Sequence, residues 1–157
     1  PDRVSHLVVA DIAPVFYPPH HDDVFQGLGT LEGIALKSRT EADALMLPFI
    51  SDLGLRQFLL KNLDRNEDGT FRLKIPLSFI REAYPSILAS PLAPASPVPV
   101  PTLVLRGSRS DYVSLDADPL FLQFVQSVSI KTIENAGHWL HAEQPDIFFE
   151  LTSKFLR

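Results

Sequence analysis

Three short apolar runs set the pattern of this chain. Leu7-Val8-Val9-Ala10 and Leu103-Val104-Leu105 are continuously apolar, which is the signature of a parallel strand covered on both faces. Val128-Ser129-Ile130-Lys131-Thr132-Ile133 alternates with period two and predicts a third strand. A polar or glycine-bearing loop follows each run: Asp11-Ile12-Ala13-Pro14, then Gly107-Ser108-Arg109-Ser110-Asp111-Tyr112-Val113, then Glu134-Asn135-Ala136-Gly137-His138. Residues 120–128 predict a helix before the third strand. Pro145 opens a last helix that runs to the end of the chain, with proline at the first helical position. Pro1-Asp2-Arg3-Val4 reads as the end of a helix.

Between the first and second strands the pattern turns helical. Asp22 or Asp23 caps a helix through Lys37, and Ser38 caps residues 39–47 with Glu41 at capping-box spacing. Ser51-Asp52 opens a helix through Leu63, on which Leu55, Phe58, Leu59 and Leu63 share a face expected in the core. Residues 71–75 alternate as a short strand, and a helix is expected from Leu77 to Tyr84. The proline-rich stretch 90–101 is a stiff, extended connector back to the sheet. The expected division is therefore a partial α/β core, residues 1–16 with 90–157, and a helical insert, residues 17–89.

Composition narrows the partners. With 157 residues, 45% of them hydrophobic, and a net charge of −5, the chain has a globular composition and no basic cluster for nucleic acid. It has no cysteine, which removes disulfides and a thiol nucleophile. No apolar run approaches the ~20 residues that span a bilayer. Asp64-Arg65-Asn66-Glu67-Asp68-Gly69 imitates the first half of a calcium loop, but Ile75 stands where a bidentate Glu belongs and Pro76 blocks the exit helix. A solvated turn fits it better.

The chemistry-bearing candidate is His138, on a loop directly after a strand, where a rigid sheet can aim an imidazole into a cleft. Asp11 ends a buried strand and so points to the sheet edge where α/β folds place ligands; it reads equally well as a turn or cap residue. His138 and His141 could share a helical face, but no third metal ligand accompanies them, so neither metal nor cofactor is expected. His20 and His21, beside Pro18-Pro19, are expected to be exposed at the start of the insert.

Three segments carry a family resemblance along essentially the whole chain. Val9-Ala10-Asp11-Ile12-Ala13-Pro14, Gln57-Phe58-Leu59-Leu60-Lys61-Asn62-Leu63 and Asn135-Ala136-Gly137-His138-Trp139-Leu140-His141-Ala142-Glu143 resemble the abhydrolase-domain-containing-11-like esterases of the α/β-hydrolase superfamily. That subgroup includes small bacterial esterases and yeast mitochondrial alcohol acyltransferases. The resemblance implies the C-terminal portion of the fold, with three of eight strands and a cap insert. It also implies hydrolysis or acyl transfer of carboxylic esters or thioesters by a Ser-His-Asp triad.

His138 matches the family's base. For the acid, the commonest pattern places Asp three residues after the glycine that ends the next-to-last strand; here that residue is Ser110, and Asp111 comes one step late. The subgroup's own acid matches Asp11, with Asp111 as the alternative and Ser110 as a hydrogen-bonding support. Trp139 is expected to pack under its loop or to line an acyl pocket. The family's nucleophile lies in a Gly-x-Ser-x-Gly elbow upstream of the segment matched by Asp11, and this sequence contains no such motif. Two readings follow: part of a serine hydrolase whose elbow lies outside these residues, or a catalytically inactive module that binds through the open edge of its first strand.

Overall fold

A computed structural model describes residues 3–157, so Pro1 and Asp2, half of the helix end expected there, lie outside the described residues. In chain order the first elements are β1 (Leu7–Ala10), α1 (Asp22–Gly29), α2 (Arg39–Met46), α3 (Leu53–Leu59), β2 (Leu63–Arg65), β3 (Phe71–Leu73) and α4 (Leu77–Leu88). There follow β4 (Thr102–Gly107), α5 (Asp118–Phe121), β5 (Val128–Ile133), α6 (Leu140–Glu143) and α7 (Pro145–Phe155). The chain divides into two compact units, Pro1–Phe16 with Ser90–Arg157, and Tyr17–Ala89.

The first unit is an α/β layer around a parallel three-stranded sheet in the order β1-β4-β5. Val9 pairs with Val104 and Val104 with Ile130, so these three apolar side chains line one face. Val104 is buried there with Val113, Ala117, Phe121 and Val125. The alternate positions Val8, Leu103 and Leu105 turn to the other face, against Ile133, Ala136, Leu140 and the α7 residues Phe148, Leu151 and Phe155. Central strand β4 is thus buried on both sides, as its unbroken apolar run requires. β1 lies at the edge of this sheet, as expected for a strand without an upstream partner here; Val8 and Val9 are partly buried on opposite faces, and Leu7 is exposed.

The helix expected over 120–128 shrinks to α5 because the connector competes for the backbone. Val98 N–H donates to Phe124 O (2.8 Å) and Gln126 N–H donates to Val98 O (2.9 Å), forming a bridge that ends helical bonding before β5.

The second unit surrounds its own core of Leu28, Leu31, Leu36, Ala42, Met46, Ile50, Leu59, Leu60, Leu63 and Leu77. Ser38 caps α2 by accepting from Glu41 N–H at 3.0 Å, while the Glu41 carboxylate turns back to Lys37 N–H. Asp52 caps α3 through Leu55 N–H at 2.6 Å. Arg56, almost fully buried, donates to Asp43, Ile50 O and Ser51 O and so ties α3 to α2 and to the turn between them.

Four expectations change here. α1 stops at Gly29 instead of Lys37: Gly27 and Gly29 weaken the helix, and Thr30 Oγ1 donates back to Gly27 O at 2.7 Å. α3 ends at Leu59, passes through a 3₁₀ turn at Leu60–Asn62, and yields Leu63–Arg65 to β2, which pairs antiparallel with the shortened strand β3. Phe58 is 48% exposed, outside the face that buries Leu59 and Leu63. Last, α4 runs through Pro85 to Leu88 instead of ending at Tyr84; the buried side chains Leu77 and Leu88 anchor its two ends, offsetting the backbone bond that proline removes.

The calcium-like segment is the turn of the β2–β3 hairpin. Asn66 N–H donates to Thr70 O at 2.7 Å, and Gly69 takes the positive φ of 86° that the turn demands. Asp68 accepts from the Thr70 hydroxyl (2.6 Å) and N–H (3.0 Å), which together hold its carboxyl below the usual carboxylate range.

Candidate active site

Because β1, β4 and β5 are parallel, the loops that leave them emerge at one edge of the sheet, and three of the candidate side chains meet there. Asp11 N–H completes the ladder to Leu105 O at 2.8 Å, and the chain then turns through a left-handed backbone at φ 50°. Asp is among the few residues that occupy that region readily. The carboxylate is fully buried, so each of its oxygens needs a partner. Gly107 N–H donates to Oδ1 at 3.0 Å, and the Ser110 hydroxyl donates to Oδ2. Oδ2 also lies 2.9 Å from Nδ1 of His138.

The His138 side chain is 44% exposed, in contrast to the buried Asp11. With Asp11 as a carboxylate, which only accepts, Nδ1 carries the hydrogen and Nε2 keeps its lone pair for a proton from elsewhere. Tyr112 lies on the imidazole face, with ring centroids 4.1 Å apart and planes inclined by 24°. The neighbouring Asp111 is exposed, and Ser110 is buried. The structure therefore brings Asp11, Ser110 and His138 together and leaves Asp111 outside the cluster. Trp139 is half-buried; its carbonyl accepts from Ala142 and Glu143 N–H, both at 2.9 Å, to start α6.

The His138 loop is held by contacts that the sequence pattern did not single out. Gly107 is one: a Cβ there would fall 2.3 Å from Gly137 O and 2.5 Å from Ala136 O, so β4 can approach the loop this closely only with glycine. Its place at a strand end was the available clue. Arg109 N–H donates to Ala136 O at 2.9 Å, and its guanidinium reaches Asn135 O and Glu143 Oε2. The same Glu143 oxygen accepts Gly137 N–H at 2.9 Å. Glu143 is thus a backbone clamp, and His141 is exposed, edge-on to Phe148. Among the described residues no group of three His, Cys, Asp or Glu side chains is placed to hold a metal ion. Nothing in the sequence period marked Tyr112.

Comparison with known proteins gives this arrangement a context. No protein-family model matches the chain. Over 99% of its length it is 34% identical to esterase YbfF of Escherichia coli, of which it spans 59%. It is 30% identical to the sn-1-specific diacylglycerol lipase ABHD11 of mouse, spanning 52% of that protein. Among solved structures, a marine microorganism esterase superposes with a TM-score of 0.92 at 37% identity, covering 99% of this chain and 62% of that one. The chain belongs to the α/β-hydrolase superfamily. Within it, the chain is an ABHD11-like member, and it spans little more than half the length of these curated relatives.

Proposed function

We propose that these residues supply the acid and base of a serine hydrolase that cleaves, or transfers the acyl group of, small carboxylic esters or thioesters. The observation that carries this reading is the 2.9 Å approach of His138 Nδ1 to the buried Asp11 carboxylate. Esterase and lipase relatives at 30–34% identity support the ester class. In this reading Asp11 fixes the imidazole tautomer and stabilises the imidazolium. His138 Nε2 takes the proton of a serine hydroxyl and returns it to the leaving alcohol or thiol. Ser110 holds the carboxylate in place, Trp139 lines the acyl pocket, and Asp111 has no part.

The serine and the oxyanion donors come from residues outside these 157, since the sequence contains no Gly-x-Ser-x-Gly elbow. No cofactor is required, because the chemistry is proton transfer and acyl exchange.

Hydrolysis of p-nitrophenyl acetate and butyrate by the complete polypeptide tests the proposal. Asp11→Asn should lower kcat about 10⁴-fold and His138→Ala on the order of 10⁶-fold. An inactive wild type, or activity that survives both substitutions, overturns it.

A further inference from the structure

We infer that Tyr112 is a positioning residue for His138, a rigid aromatic shelf that fixes the plane of the imidazole. The inference rests on the reading of His138 as the base. A hydrogen bond at Nδ1 alone leaves the ring free to pivot about the Nδ1···Oδ2 line, and such a pivot swings Nε2 away from the hydroxyl it serves. A second constraint, on the ring face, removes that freedom. Tyr112 supplies it at 4.1 Å and 24°, in near-parallel stacking.

The shelf is itself fixed on both sides. Upstream, Tyr112 N–H donates to Ser110 Oγ at 3.3 Å, and that hydroxyl is bonded to Asp11. Downstream, Val113 is fully buried in the core, and its carbonyl accepts from Arg106 Nε at 2.7 Å. One short segment thus sets both the edge and the face of the imidazole: Ser110 steadies the carboxylate at Nδ1, and Tyr112 covers the ring. The charged groups nearby are Asp11, bonded to Nδ1, the exposed Asp111 beside Tyr112, and Glu143, which holds the Gly137 N–H and the Arg109 guanidinium.

The test is nuclear magnetic resonance of the complete polypeptide with ¹⁵N-labelled histidine. In the wild type, the His138 ring protons should resonate upfield of their positions in Tyr112→Leu and show cross-relaxation to the Tyr112 ring; absence of both overturns the inference. Tyr112→Leu should speed exchange of the Nδ1 hydrogen with water by about three- to tenfold, and Tyr112→Phe, which keeps the stack, should restore the wild-type rate. Equal rates in wild type and Tyr112→Leu overturn the shelf. Asp11→Asn separates the two ideas: its loss of the Nδ1 hydrogen signal alongside an unaffected Tyr112→Leu defeats the shelf alone. An Asp11→Asn chain with an unchanged signal defeats the acid–base pair and the shelf with it.

Discussion

Oδ2 of Asp11 and Nδ1 of His138 lie 2.9 Å apart although 127 positions separate them in the chain. The same Oδ2 accepts the Ser110 hydroxyl, so Ser110 acts on the pair from beneath. Ser110→Ala should cost about 1–3 kcal/mol in urea unfolding, since it takes one donor from a buried carboxylate. A Ser110→Thr chain, which keeps the hydroxyl, should unfold closer to the wild type.

The approach of β4 to the His138 loop makes Gly107 intolerant of any side chain. The obstructing atoms at 2.3 and 2.5 Å are backbone carbonyl oxygens, which cannot rotate aside. Gly107→Ala should therefore destabilise by about 3 kcal/mol or more, read as a lower urea midpoint. It should also break the Asp11–His138 contact, read as faster exchange of the Nδ1 hydrogen.

Glu143 and Arg109 both hold the loop, but not equally. Glu143 accepts the backbone N–H of Gly137 at 2.9 Å, whereas Arg109 is a largely exposed ion-pair partner at 3.3 Å. Glu143→Ala should raise hydrogen exchange at the Gly137 amide by about tenfold, and Glu143→Gln should recover most of the protection. Arg109→Met should change stability by less than about 1 kcal/mol, as exposed pairs do.

In the second unit, Arg56 is the buried charge to test. It donates to Asp43 Oδ1 at 2.9 Å, Ile50 O at 2.8 Å and Ser51 O at 2.9 Å. Arg56→Ala should cost about 3 kcal/mol, because two carbonyls and a carboxylate lose their donor.

The hairpin turn gives a pH prediction. Asp68 is held below the usual carboxylate range by the Thr70 hydroxyl and N–H, so its contribution is present above the unfolded value of 3.8 and fades as pH falls through the lower folded value. Thr70→Val should move the Asp68 titration toward 3.8, followed by carboxyl carbon resonances. The group is exposed, so the effect belongs to the turn rather than to global stability.

The parallel strands were legible because burial on both faces demands unbroken apolar runs, and β5 was found at Val128–Ile133 from alternation alone. The ABHD11-like kinship was likewise open to reading, in the segments 9–14, 57–63 and 135–143. Helix ends were less legible. Val98 captures residues 124–126 from a distant part of the chain, and β3 captures Leu63–Arg65 across the hairpin turn, through pairings rather than helical bonds. A local period carries no trace of such competition. At the site, His138 stood out by residue type and loop position, whereas Asp11 read equally well as a turn residue and was singled out by the family resemblance. Tyr112 and the Glu143 clamp did not stand out, since stacking and backbone capture depend on where three loops converge. Asp111 shows how narrow the margin was: a single step along one loop separates an exposed carboxylate from the buried Ser110.

The left-handed backbone at Asp11 restricts how this acid could ever be exchanged. Glutamate, the natural chemical stand-in, would bear a torsional penalty of about 1–2 kcal/mol in addition to its extra methylene. Asparagine fits the torsion but surrenders the charge. A change at position 11 therefore leads either to a strained carboxylate or to a relaxed, uncharged amide, and neither keeps an unstrained buried charge beside His138.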